Sequence, residues 1–127
     1  HALIDALLGA AGMRDIGTYF SPDEERYRGA DSMQLLEQVQ NMLTEGLWKL
    51  VNSDLLIIAE APKMAPYIEQ MRKNIAERLA VAECRVTVKA TTTEGLGFCG
   101  RGEGIAAQAT VLIEKAARPA PAKGEAD

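Results

Sequence analysis

Between Ala90 and Gly104 the chain reads A-T-T-T-E-G-L-G-F-C-G-R-G-E-G, and this stretch holds five of its 11 glycines: Gly95, Gly97, Gly100, Gly102 and Gly104. Ordered glycine costs backbone entropy, so such density implies positive φ or backbone drawn close to a ligand. The stretch therefore reads as a loop that ends one element and begins another. Three threonines supply hydroxyls, Glu94 a hard oxygen ligand, and Arg101 a planar fork that matches phosphate oxygens. That chemistry suits a phosphate or metal-phosphate loop. It is not the P-loop pattern, because no Gly-Lys-Ser/Thr follows the glycines. The same residues also fit a glycine-rich hairpin whose threonines cap turns.

The 127 residues, 47% hydrophobic, suffice for one domain with a real core. Fourteen basic and 18 acidic side chains leave a net charge of -4, which argues against a partner held through nucleic-acid phosphates. No apolar run reaches the length of a membrane span, and none reads as a signal peptide. Cys84 and Cys99 form neither C-x-x-C nor zinc-ribbon spacing and read as reduced thiols.

Periodicity places the elements. Leu3, Ile4, Leu7, Leu8 and Ala11 make an apolar stripe over a helix from Ala2 to Ala11. His1 and Asp5 share a face at i and i+4, so Asp5 reads as a group orienting the imidazole or as a plain surface carboxylate. Residues 12–30 read as a long irregular connection, longer than a compact domain normally needs and so a candidate functional loop. Asp31 opens a helix over Ser32 to Glu45, with Gln34 placed for a capping box. Leu47 to Glu60 reads as a strand, interrupted near Asn52, whose run Leu55-Leu56-Ile57-Ile58 suits cover on both faces. A third helix spans Ala65 to Leu79, with Glu69 and Lys73 paired outside. Arg85 to Ala90 and Ile105 to Glu114 alternate as strands. The whole reads as α/β: a mixed sheet with helices packed on one face. Residues 1–115 form the domain, and 116–127 read as a disordered tail or linker.

The order of residues is more specific than their composition. T-T-T-E-G-L-G-F-x-G-R-G-E-G-I-A from Thr91 closely resembles the signature of the 2-C-methyl-D-erythritol 2,4-cyclodiphosphate synthase family of the non-mevalonate isoprenoid pathway. H-A-L-I-D-A-L-L-G-A-A from His1, R-G-A-D-S from Arg28 and I-I-A-E-A-P-K-M from Ile57 match it in the right order. The resemblance covers His1 to about Glu114. It implies a ferredoxin-like α/β fold and a homotrimer with each active site between neighbouring subunits. The compartment implied is a bacterial cytoplasm or a plastid stroma. It implies a lyase: the 2-phosphate of 4-diphosphocytidyl-2-C-methyl-D-erythritol 2-phosphate attacks its own β-phosphate, CMP leaves, and a cyclic diphosphate forms. The pathway's cytidylyltransferase, as an enzyme or a fused domain, is the implied partner. The small, β-branched face Ile105, Ala107, Ala109, Val111 and Ile113 suits packing around the trimer axis.

By the same resemblance Thr92 stabilises the transition state and Glu94 reaches magnesium or manganese. Thr91, Thr92 and Thr93 hold the cytidine diphosphate, and Phe98 and Arg101 match further binding positions, although Arg101 also reads as a surface charge between turn glycines. Asp15, Ile16, Gly17 and Phe20 match residues that contact the erythritol and phosphate part. The family continues with P-D-x-D, where this chain has Ser21, Pro22, Asp23 and Glu24; that acidic run reads equally as a solvated loop. Ala59, Ala61, Pro62, Lys63, Met64 and Ala65 match the segment that seats cytosine through backbone groups and apolar contact. On residue chemistry alone they are an ordinary strand-to-helix turn. His1 matches the histidine that closes a three-ligand zinc site.

The family's D-x-H, which gives the other two zinc ligands, and its phosphate-contacting H-S pair do not occur in this sequence, where His1 is the one histidine. A lone imidazole is a poor site for catalytic zinc. The expectation is an incomplete enzyme chain that turns over little by itself. The other reading is a shortened trimeric protein that binds a cytidine nucleotide or an isoprenoid diphosphate without chemistry.

Overall fold

A computed structural model describes residues 1–117. Most of the tail expected over 116–127 therefore lies outside the described residues. Leu3, Ile4, Leu7 and Leu8 are buried on one face of α1, Ala2–Ala10, which ends at Ala11 before Gly12 turns the chain at φ 72°. The long connection is less irregular than its composition suggests. Asp15 caps a single turn, α2, Ile16–Tyr19, and a 3-10 turn follows at Glu25–Tyr27. Between them Phe20 is buried edge-on to Tyr27, ring centroids 5.3 Å apart. Helix α3 spans Ser32–Glu45, and the Asp31 carboxylate caps it by accepting from Met33 N–H at 3.0 Å. The expected return bond from the Gln34 side chain is not made among the described residues.

Strand β1, Trp48–Ile58, is central. It pairs parallel with β2, Val86–Thr91, and antiparallel with β3, Ala106–Lys115, in the order β2-β1-β3. Among the described residues these three strands are one fewer than the four of a ferredoxin-like β-α-β-β-α-β arrangement. The interruption expected near Asn52 is a bulge at Val51. It explains the burial: Leu50 and Ser53, three residues apart, both face inward, which strict alternation forbids. Arg85 Nη1 donates to the Val51 carbonyl at 2.8 Å, and Ser53 Oγ donates to the Arg85 carbonyl at 3.1 Å. A parallel neighbour requires a crossover. It is supplied by α4, Ile68–Leu79, entered through a 3-10 turn at Ala65–Tyr67 rather than starting at Ala65. On α4 Glu69 pairs with Arg72, at 2.9 Å, and not with Lys73 as spacing alone predicts.

Helices α1, α3 and α4 pack on one face of the sheet. Leu55, Val88, Ala109, Val111 and Ile113 pack towards α1, α3 and α4. This corrects the expectation that Ala109, Val111 and Ile113 lie at a symmetry axis, since helices cover them. The opposite face carries Asp54, Leu56, Ile58, Lys89, Gln108, Thr110 and Leu112 in register, so the apolar run of β1 is covered on one side only. No helix among the described residues is long and apolar enough to cross a membrane.

Leu43 is fully buried in the main cluster. Leu43→Ala is expected to cost about 2–5 kcal/mol in urea unfolding, against less than about 0.5 kcal/mol for the exposed Lys73→Ala.

Candidate active site

Because β1 and β2 are parallel, Ile58 stands beside Thr91, and Ala59 N–H donates to the Thr91 carbonyl at 3.0 Å. The chain leaves both strands at the same end. The turn holding Ala61, Pro62, Lys63, Met64 and Ala65 thus adjoins the loop Thr92 to Gly95, at the carboxyl ends where open sheets hold ligands.

The loop is held by a residue that sequence reasoning did not single out. Glu60 Oε1 accepts from Thr93 N–H and from Gly95 N–H, each at 3.1 Å. The Thr93 hydroxyl has one proton and two acceptors, Leu96 carbonyl at 2.6 Å and Glu60 at 3.4 Å, and geometry gives it to Leu96. Thr92 Oγ1 accepts from Glu94 N–H at 3.2 Å, and its own proton has no acceptor among the described residues. Glu94 sits at φ 53° with an exposed side chain that makes no hydrogen bond among the described residues.

The glycines have a steric cause at Gly100, in the short helix α5, Gly97–Gly100. A Cβ there would lie 2.1 Å from the carbonyl carbon of Gly95, so the helix rests directly on the loop. Buried Cys99 anchors it from beneath, while Phe98 and Leu96 remain exposed. Arg101 closes on Glu103 through two bonds, 2.7 and 3.2 Å, and this pairing raises its pKa above the usual guanidinium value.

The other predicted residues sit elsewhere. Asp15 accepts from the Thr18 hydroxyl, and that bond chiefly holds its carboxyl below the usual range. Asp5 Oδ1 accepts from Ile16 N–H at 2.8 Å. Asp5 thus fastens the Asp15-Ile16-Gly17 segment to α1 and does not orient His1. The hydrogen bonds of that segment, among the described residues, do not reach the threonine loop. Phe20 is buried in the core, and its N–H is bonded to the Ile16 carbonyl at 2.8 Å. Glu24 pairs with Arg26 at 2.7 Å.

His1 Nε2 lies 2.9 Å from Ser32 Oγ. Among the described residues no three His, Cys, Asp or Glu side chains converge to hold a metal. His1 is thus not grouped with two further such side chains among the described residues. Glu94 does fit a cation that takes one protein carboxylate together with phosphates and waters, as magnesium does.

The sequence profile of the YgbB family matches residues 1–114, and the chain belongs to that family. A protein from Moorella thermoacetica named 2-C-methyl-D-erythritol 2,4-cyclodiphosphate synthase is 56% identical over 113 residues, 89% of this chain and 69% of its own. The protein of that name from Marinobacter nauticus is 60% identical over 115 residues, 90% of this chain and 72% of its own. Among solved structures, the bifunctional IspDF of Campylobacter jejuni superposes with TM-score 0.87 at 42% identity over 91% of this chain. This chain spans 31% of that bifunctional one. A CDP complex of IspF from Plasmodium falciparum superposes with TM-score 0.79 at 30% identity, covering 90% of this chain and 68% of that one.

Gly100→Ala drives a methyl group into the Gly95 backbone. It is expected to cost about 1–3 kcal/mol or more, with the amide resonances that shift confined to the 92–104 loop. Undisturbed resonances there would show that α5 does not rest on it.

Proposed function

We propose that this chain serves the reaction for which its relatives are named, that of a phosphorus-oxygen lyase of non-mevalonate isoprenoid biosynthesis, a reaction that residues 1–127 by themselves carry out poorly for want of zinc ligands. The substrate is 4-diphosphocytidyl-2-C-methyl-D-erythritol 2-phosphate; the 2-phosphate oxygen bonds to the β-phosphorus, the bond to CMP breaks, and the cyclic diphosphate remains. The observation that carries this reading is the meeting of the Ala61–Met64 turn with the Thr91–Glu94 loop at adjacent strand ends. Main-chain groups from Ala59 to Ala65 seat the cytosine. Thr91, Thr92 and Thr93 hold the diphosphate, and the spare Thr92 proton is available to an oxygen on the β-phosphorus. Phe98 and Arg101 border the same loop.

Such a transfer depends on positioning and charge neutralisation more than on covalent help. Glu94 is the ligand for magnesium or manganese, which supplies that neutralising charge when bound. Zinc is assigned one ligand here, His1, and no step is built on it. The compartment we assign is a bacterial cytoplasm or a plastid stroma. Similarity to a bifunctional chain supports a cytidylyltransferase of the pathway as a partner.

The assembly we assign is a homotrimer with shared active sites. Two observations support it. Among the described residues no hydrogen bond joins Asp15-Ile16-Gly17 to the threonine loop. The helix-free sheet face presents Leu56, Ile58 and the 56%-exposed Leu112. Light scattering should give three times the chain mass at micromolar concentration, and Leu112→Asp should lower it; a monomer before substitution counts against the trimer.

CMP or CDP is expected to protect backbone amides from exchange in both 61–64 and 91–94. Protection of one segment alone would sink the shared pocket. Metal content gives the second test. With zinc and magnesium present, residues 1–127 are expected to release little CMP from the authentic substrate, because one imidazole holds zinc weakly. A version extended upstream with Asp-x-His should release it readily. Equal rates would overturn the ligand count.

A further inference from the structure

We infer that Glu60 is a positioning residue, an internal latch that sets the Thr92–Glu94 loop and ties it to the nucleotide turn. This rests on the reading of the site given above. One oxygen, Glu60 Oε1, takes the N–H groups of Thr93 and Gly95, the two residues that flank Glu94, at 3.1 Å each. Glu94 lies between them at φ 53° and Gly95 at 81°. A residue with a Cβ enters that left-handed region only where its surroundings insist. Fixing the amide on either side is what holds it there.

Successive N–H groups around a glycine form an anion-binding concavity. Here the concavity is already filled, by a carboxylate of the protein itself. The Thr93 and Gly95 amides are therefore not offered to a phosphate, and the loop presents side chains instead: the Thr92 hydroxyl and the Glu94 carboxylate. Glu60 also directly precedes Ala61 in the chain. A nucleotide that seats on the Ala61–Met64 turn thus acts on the backbone that carries the latch, and through it on Glu94. The two halves of the site are coupled through one side chain.

The latch needs an acceptor and not a charge. Glu60→Gln keeps an acceptor oxygen at the same reach; Glu60→Ala leaves two amides unpaired. Amide exchange without ligand is compared for the two variants and the unaltered chain, alongside calorimetry of CDP with and without magnesium. In Glu60→Ala, Thr93 and Gly95 should exchange about tenfold faster or more, and the magnesium-dependent gain in CDP affinity should fall about tenfold. Glu60→Gln should stay within about twofold in both. Amides of α3 should keep their protection in either variant, which separates a local latch from general unfolding. Unchanged exchange in Glu60→Ala overturns the proposal. So does equal loss in both variants, which would assign the effect to charge. If the unaltered chain binds no CDP, the functional reading falls, and the exchange comparison, which needs no ligand, still decides the latch.

Discussion

Ile58 and Thr91 lie side by side because β1 and β2 run parallel, and parallel neighbours cannot be joined by a tight turn. The connection must cross back over the sheet, and α4 does so with Ala76 and Leu79 buried against it. Val86 and Val88 meet that helix from the sheet side. Once the crossover is packed, the chain leaves both strands at the same end. Two segments some thirty residues apart then become neighbours. The Glu60 bonds to Thr93 and Gly95 are made across this junction. They depend on the pairing register, since a slip of one residue would move Glu60 to the other face of the sheet.

Elements whose burial follows a period were legible in the sequence. The stripes of α1 and α3 and the alternation of β2 placed those elements to within a residue or two, because one side of each is covered and the other is not. The bulge left a trace, since Leu50 and Leu55 are out of phase. Single turns such as α2 were not legible; four residues are too few for a period. The pairing of Glu69 with Arg72 escaped because spacing cannot rank two cations one residue apart. The outward face of β3 was misassigned for a related reason. Alternation separates two faces, but both faces of β3 carry apolar residues, and it is the helices that choose between them.

Legibility of the site was uneven in a different way. Residue chemistry alone favoured a phosphate loop and left a capped hairpin open; the ordered match of four segments separated them. Neither route reached Glu60, or the bond that Asp5 makes to Ile16. Both act on main-chain amides far away in sequence, 33 to 35 residues for Glu60 and 11 for Asp5. A carboxylate that binds backbone has no partner residue type for a pattern to register.

The filled concavity changes how the glycine-rich loop must work. Ordinary phosphate loops neutralise charge with a series of main-chain N–H groups. In this loop two of those groups are spent on Glu60, and Arg101 is closed on Glu103. What remains exposed at the tip is a second carboxylate, Glu94. A carboxylate placed about 4 Å from one phosphate charge is repelled by about 1 kcal/mol in bulk water and by about 4 kcal/mol near a protein surface. A diphosphate would double that. A loop built this way repels its proposed ligand unless a cation lies between them, and then the same carboxylate becomes an attraction. On the proposed reading, the exposed Glu94 therefore favours a diphosphate that arrives with a divalent ion over one that arrives without it.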